Sequence, residues 1–169
     1  MDTDQPANTG AYTHYVYGPN YVQSYSTVNT VAANFLQADS YAIQVFDGAG
    51  RVIGAANNHP GSFGEYRLVN TIYDLMGRAA KVSNPGEINN SWVPVGDEAV
   101  GLTYTQPTYD WKGRPLVTTH LADGTQKYAS YTVCGCAGSE VVTLTDEVGR
   151  QQRVSSDSLG RQWKTETNL

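Results

Sequence analysis

β-Branched and aromatic residues gather in short runs along this chain, and each run is broken after a few residues by Gly, Asp, Asn or Pro. Tyr41-Ala42-Ile43-Gln44-Val45-Phe46, Leu68-Val69-Asn70-Thr71-Ile72-Tyr73 and Val141-Val142-Thr143-Leu144-Thr145 are clear examples. Runs of this length and composition, bounded by turn formers, predict strands. Asn84-Pro85-Gly86 and Ala122-Asp123-Gly124-Thr125 predict turns. The second of these opens a further strand, Gln126 to Val133. No stretch holds a sustained apolar period of 3.6 residues, and the best helical candidate is Thr30 to Asp39. The expected fold class is all-β: antiparallel hairpins forming a curled sheet or part-barrel.

The breaks are themselves patterned. Asp-x-x-Gly-Arg occurs five times, at Asp47/Gly50/Arg51, Asp74/Gly77/Arg78, Asp110/Gly113/Arg114, Asp146/Gly149/Arg150 and Asp157/Gly160/Arg161. Five of the seven arginines occupy this one position. The aspartates are 27, 36, 36 and 11 residues apart, so the period is irregular. Asp at the head of a type I turn accepts hydrogen bonds from backbone just ahead of it. The fourth residue must turn left-handed to re-enter the ladder, which Gly does without a Cβ penalty. Together these make a hairpin tip with a G1 bulge.

After each tip, Arg and the residues two and four beyond it are expected to share one face. That face reads Arg51/Ile53/Ala55, Arg78/Ala80/Val82, Arg114/Leu116/Thr118, Arg150/Gln152/Val154 and Arg161/Trp163/Thr165. Lys81, Gln151, Arg153, Gln162 and Lys164 lie between them, so the opposite face is the wetter one. Each Arg is expected to lay its stem on apolar surface or its guanidinium over a Tyr ring.

Composition agrees with strands. Charged residues are 16% of the chain, against about 25% in an average soluble domain. Twelve tyrosines favour β structure. The net charge of −5, without a Lys/Arg cluster, argues against nucleic acid as a partner. No apolar run reaches membrane-spanning length. Met1 to Pro6 is acidic and polar, unlike a signal peptide. Either the chain is cytosolic or it is a piece of a longer exported protein; along it a Tyr-rich strand and loop region is expected over 1–40 and the hairpin region over 41–169.

With its tips at Tyr73 to Arg78 and Tyr109 to Arg114, the chain resembles the RHS/YD-repeat family, whose signature is Tyr-Asp-x-x-Gly-Arg. It departs where Phe46, Thr145 and Ser156 replace the Tyr. The tetrads and the strands after them span about residues 41–166, and Cys134-Gly135-Cys136 with Thr143 to Glu166 also looks like bacterial members. The resemblance implies hairpins laid side by side into a sheet that spirals round a hollow. It implies a fragment or short member of an extracellular or cell-surface assembly, toxin-enclosing or scaffold in type. Its partners would be neighbouring repeats of a longer parent chain, or other copies through strand edges.

Other chemistry is thinly represented. Cys134 and Cys136 could be free thiols or a strained local disulfide. They make only half a metal site, with no second ligand pair at finger-like spacing. His14, His59 and His120 are scattered, and Cys134 with His120 is the one conceivable nucleophile–base pair. Gly48 to Gly54 has one residue too many for a dinucleotide loop. The five aspartates are explained together by turn capping. No catalytic residue, metal or cofactor is expected. Asn89-Asn90-Ser91 fits a glycosylation sequon. Tyr12, Tyr15, Tyr17, Tyr21 and Tyr25 could either pack a sheet face or hold a carbohydrate or protein partner. The second expected function is accordingly a binding module working through an aromatic face.

Overall fold

The computed structural model describes residues 13–27, 39–132 and 139–167. They form thirteen strands and one short 3-10 turn (Gly96–Glu98), and every registered pairing is antiparallel. The fold is all-β, as the strand runs and turn signals predict. Cys134 and Cys136 lie outside the described residues, as do Tyr12 and nearly all of the helical candidate. Asp39, the last residue of that candidate, begins a strand.

The chain divides into two compact units, residues 1–72 with 83–102 and residues 73–82 with 103–169. In the first unit, β1 (Thr13–Tyr17), β2 (Tyr21–Thr27), β3 (Asp39–Phe46), β4 (Val52–Asn58) and β5 (Tyr66–Tyr73) pair in sequence order. Seven residues of β2 pair with β3 in unbroken register, from Tyr21↔Val45 to Thr27↔Asp39. The Tyr-rich segment is thus hydrogen-bonded into the same sheet as the first tetrad. A short strand, β7 (Gly86–Ile88), pairs with β5.

The core of this unit is small. Ile43 and Ala56 face one another across β3 and β4, and both are buried. Ile88 on β7 is fully buried, at 0% exposure. The loop between β4 and β5 is pressed against it: a Cβ on Gly64 would meet the Ile88 carbonyl oxygen at 2.2 Å.

The second unit runs β6 (Ala79–Ser83), β8 (Tyr104–Tyr109), β9 (Pro115–His120), β10 (Gln126–Thr132), β11 (Ser139–Thr145), β12 (Gln151–Asp157) and β13 (Gln162–Thr167), again in sequence order. Ser83, the last residue of β6, belongs to the first unit. Among the described residues of the second unit, only Ser155 is buried and no apolar side chain is. Its strands are held by their ladders and tips more than by a core.

The face assignment after the tips is corrected by the bulges. Phe46 faces Val52 while its neighbour Val45 faces Gly54, so Ile53 has no partner of its own. Likewise Tyr109 faces Pro115 and Thr108 faces Val117, and Ser156 faces Gln162 while Ser155 faces Lys164. One extra residue displaces the alternation by one position. The buried residues after Arg51 are therefore Gly54 and Ala56, with Ile53 and Ala55 only half-buried. Leu116 and Trp163, expected on the drier face, are exposed.

Candidate functional site

All five tetrads build one hydrogen-bond set. The Asp backbone N–H donates to the Arg carbonyl and the Gly N–H donates to the Asp carbonyl, at 2.8–3.1 Å. Asp Oδ1 accepts from the backbone N–H two residues on, at 2.9–3.1 Å. The same oxygen accepts from the Arg N–H four residues on, at 2.8–2.9 Å. Oδ2 takes the Arg Nε–H at 2.7–2.8 Å. Gly50, Gly77, Gly113, Gly149 and Gly160 have φ of +77°, +80°, +81°, +85° and +75°. One carboxylate thus closes the turn and fixes the Arg that opens the next strand.

Backbone N–H donation from Arg51, Arg78 and Arg161 holds Asp47, Asp74 and Asp157 below the usual carboxylate range. Partial desolvation works against Asp110 and Asp146, but hydrogen bonds from Arg114 and Arg150 outweigh it and lower both.

Two arginines reach on to a Tyr of the adjoining strand. The Arg78 guanidinium lies 4.8 Å from the Tyr109 ring centre, and that of Arg114 lies 4.1 Å from the Tyr131 ring. The Tyr109 hydroxyl donates to the Ala79 carbonyl at 2.8 Å. The Tyr131 hydroxyl donates to the Pro115 carbonyl at 3.0 Å. Both carbonyls belong to the residue following the Arg. Arg114 also pairs with Glu140.

A sixth tip of the same geometry escaped the motif. Asn89 Oδ1 accepts from Ser91 N at 2.9 Å and Val93 N at 3.1 Å. Asn89 N donates to the Val93 carbonyl at 3.0 Å, and Trp92 N to the Asn89 carbonyl at 2.9 Å. Trp92, with φ +64°, stands where Gly stands in the tetrads. Asn accepts like Asp, and the retained acceptor is the only signal that could have found this tip. The Asn89 sequon is thereby a turn cap.

Beside this tip runs an aromatic row. Tyr25 and Tyr41 have ring centres 5.2 Å apart, Tyr41 and Tyr66 5.9 Å, and Tyr66 and Trp92 6.4 Å. His14 extends the row at 6.4 Å from Tyr25. Tyr25, Tyr41 and Tyr66 line a cleft of about 570 Å³ with Asn58, Pro60, Gly61 and Glu65. Asn58 Oδ1 accepts from Tyr41 N at 3.1 Å, and Gln23 Nε2 donates to the Tyr41 hydroxyl at 3.3 Å. Burial pushes the Tyr25 and Tyr41 hydroxyls up, so both stay protonated at neutral pH. Of the tyrosines singled out in the sequence, Tyr25 belongs to this cleft, whereas Tyr15 and Tyr17 stack on each other and are exposed. Tyr41, Tyr66 and Trp92 were not anticipated, because strand pairing alone brings them together.

His120 Nδ1 lies 3.1 Å from Thr105 Oγ1, and its Nε2 lies 3.6 Å from Glu147, which Lys127 also pairs at 3.0 Å. Among the described residues, no group of three or more His, Cys, Asp or Glu could hold a metal.

No known family model matches the chain, and no curated protein does. Solved structures do. TcdB2-TccC3 without its hypervariable C-terminal region matches with a TM-score of 0.52 at 16% identity, over 89% of this chain. TcdB2-TccC3-TEV matches with a TM-score of 0.51, also at 16% identity and 89% coverage. This chain spans only 10% of the length of either one. At that identity the likeness is one of fold.

Proposed function

We propose that this chain is a strand-building segment of an RHS/YD-repeat scaffold, a non-catalytic piece of an exported shell or cell-surface assembly. The observation that carries the reading is the repeated tip. Five tetrads use their Asp and Arg to close hairpins, and two of the arginines also tie an adjoining strand, which is structural work. The fold likeness supports it, since a similar fold makes up a small part of TcdB2-TccC3. The thin core of the second unit supports it too, because a sheet with so few buried apolar side chains gains stability from neighbours that cover it. In this reading, further hairpins pair with β1 and β13. Both strands are mostly exposed and each pairs on one side only among the described residues.

Light scattering across a concentration series tests the proposal. Through its open edges the chain alone self-associates, and lysines introduced along β13 reduce the association. A stable monomer at every concentration would remove the scaffold reading. The non-catalytic part is tested separately: a broad hydrolase screen stays silent, and an activity abolished by Cys134→Ala or His120→Ala would overturn it.

A further inference from the structure

We propose that the aromatic cleft of the first unit is a binding site for a neutral pyranose oligosaccharide. This inference stands independently of the scaffold reading. The cleft presents three phenol rings, a carboxamide and a carboxylate, with Trp92 continuing the row from Tyr66. Aromatic faces suit the C–H faces of a sugar ring, and the phenol hydroxyls, Asn58 and Glu65 offer partners for its hydroxyls. Among the described residues no Lys or Arg lines the cleft, which disfavours phosphorylated, sulfated or uronic chains. At the floor β2 pairs with β3 and β4 with β5; the β3–β4 ladder ends at Ala42↔Asn57, and the Tyr41 N–H just beyond it is taken by Asn58 Oδ1.

The backbone around the cleft supplies a second, independent observation. Glu65 and Trp92 are the two non-glycine residues with positive φ among the described residues, at +68° and +64°. Glu65 lines the cleft, and the Trp92 ring centre lies 6.4 Å from that of Tyr66, which also lines it. Such conformations cost energy and gather at binding sites. At the Asn89 tip Gly would be the unstrained choice, as in five sister tips; the residue that stands there instead adds its ring to the aromatic row. The loop carrying Glu65 is also held in shape at a cost. It buries the Ser62 hydroxyl with no hydrogen-bond partner among the described residues. Its Gly64 is pressed on the Ile88 carbonyl, and Phe63 N donates to Glu87 Oε2 at 3.2 Å. A wall held this firmly is preorganised for a ligand.

The full chain is titrated with cellohexaose, chitohexaose and maltohexaose by calorimetry, and each mixture is melted. At least one hexaose binds saturably at a single site and raises the melting temperature. Tyr66→Ala weakens that affinity about two- to tenfold. The deciding variant is Trp92→Gly, which relieves the left-handed strain. It weakens sugar binding by a similar factor while the melting temperature of the free protein holds or rises. Trp92→Gly protein that melts lower yet binds the hexaose unchanged would show that Trp92 only packs, and would overturn the proposal. So would silence with all three hexaoses, or binding only of a proline-rich peptide titrated in the same way.

Discussion

Arg78 opens β6 and lies over the ring of Tyr109, which closes β8; the Tyr109 hydroxyl reaches back to the carbonyl of Ala79, the residue after that Arg. Arg114 and Tyr131 repeat the relationship between β9 and β10. One Arg therefore serves two strands: its Nε closes its own tip on Asp, and its guanidinium face holds the next Tyr. Lys has neither the planar face nor the Nε–H. Arg78→Lys should lower the melting temperature despite keeping the charge. Tyr109→Phe keeps the ring and loses only the hydroxyl's bond, costing about 1 kcal/mol. Urea unfolding of the two variants, singly and together, checks the order; Arg78→Lys behaving like wild type would contradict it.

The two glycines of one tip should behave oppositely. Gly50 has φ +77°, whereas Gly48 has no such constraint and open space where a Cβ would stand. Gly50→Ala should destabilise by about 1–2 kcal/mol. Gly48→Ala should be neutral or slightly stabilising, because it narrows the unfolded ensemble. Equal effects in thermal melts would rule out a conformational origin.

Acid should loosen the tips. Asp47, Asp74, Asp110, Asp146 and Asp157 all have folded pKa values below the ordinary one of 3.8. The unfolded chain then binds more protons, so this stabilisation is present above pH of about 4 and is lost as pH falls through the lower folded values. Asp123, Glu147 and Glu166 are lowered too and act with the same sign. Melting followed by circular dichroism should show a steep loss below pH of about 4. Replacing the five tip aspartates by Asn should flatten that slope, since Asn still caps the turn at Asn89. A melting temperature unchanged down to pH of about 2 would exclude this role for the carboxylates.

Ile88 is the test of the small core. It is fully buried beneath the Gly64 loop, so Ile88→Ala should cost about 2–5 kcal/mol. Leu75, fully exposed at a tip, should tolerate Ala within about 0.5 kcal/mol. Comparable losses at the two sites, measured by urea unfolding, would show that the loop does not depend on this core.

The tips were legible because everything they need is local. Asp, Gly and Arg act within five residues of chain, so a turn that closes on itself can be read from spacing alone. The strands were legible for the same reason, through β-branched and aromatic runs between breakers. What spacing could not supply was register. The bulge residue after Arg51 moves burial from Ile53 to Gly54 and Ala56, and no residue type announces that shift. The Asn89 tip was hidden because Trp92 occupies the left-handed position against its intrinsic preference, held there by the two turn bonds to Asn89 and the Val93 carbonyl. The aromatic cleft was hidden more deeply. Tyr25, Tyr41, Tyr66 and Trp92 are far apart in sequence and meet only because β2, β3, β4 and β5 pair in order and β7 folds back onto β5. Local chemistry is written in neighbouring residues, but a surface assembled across strands depends on pairing energies summed over the whole sheet.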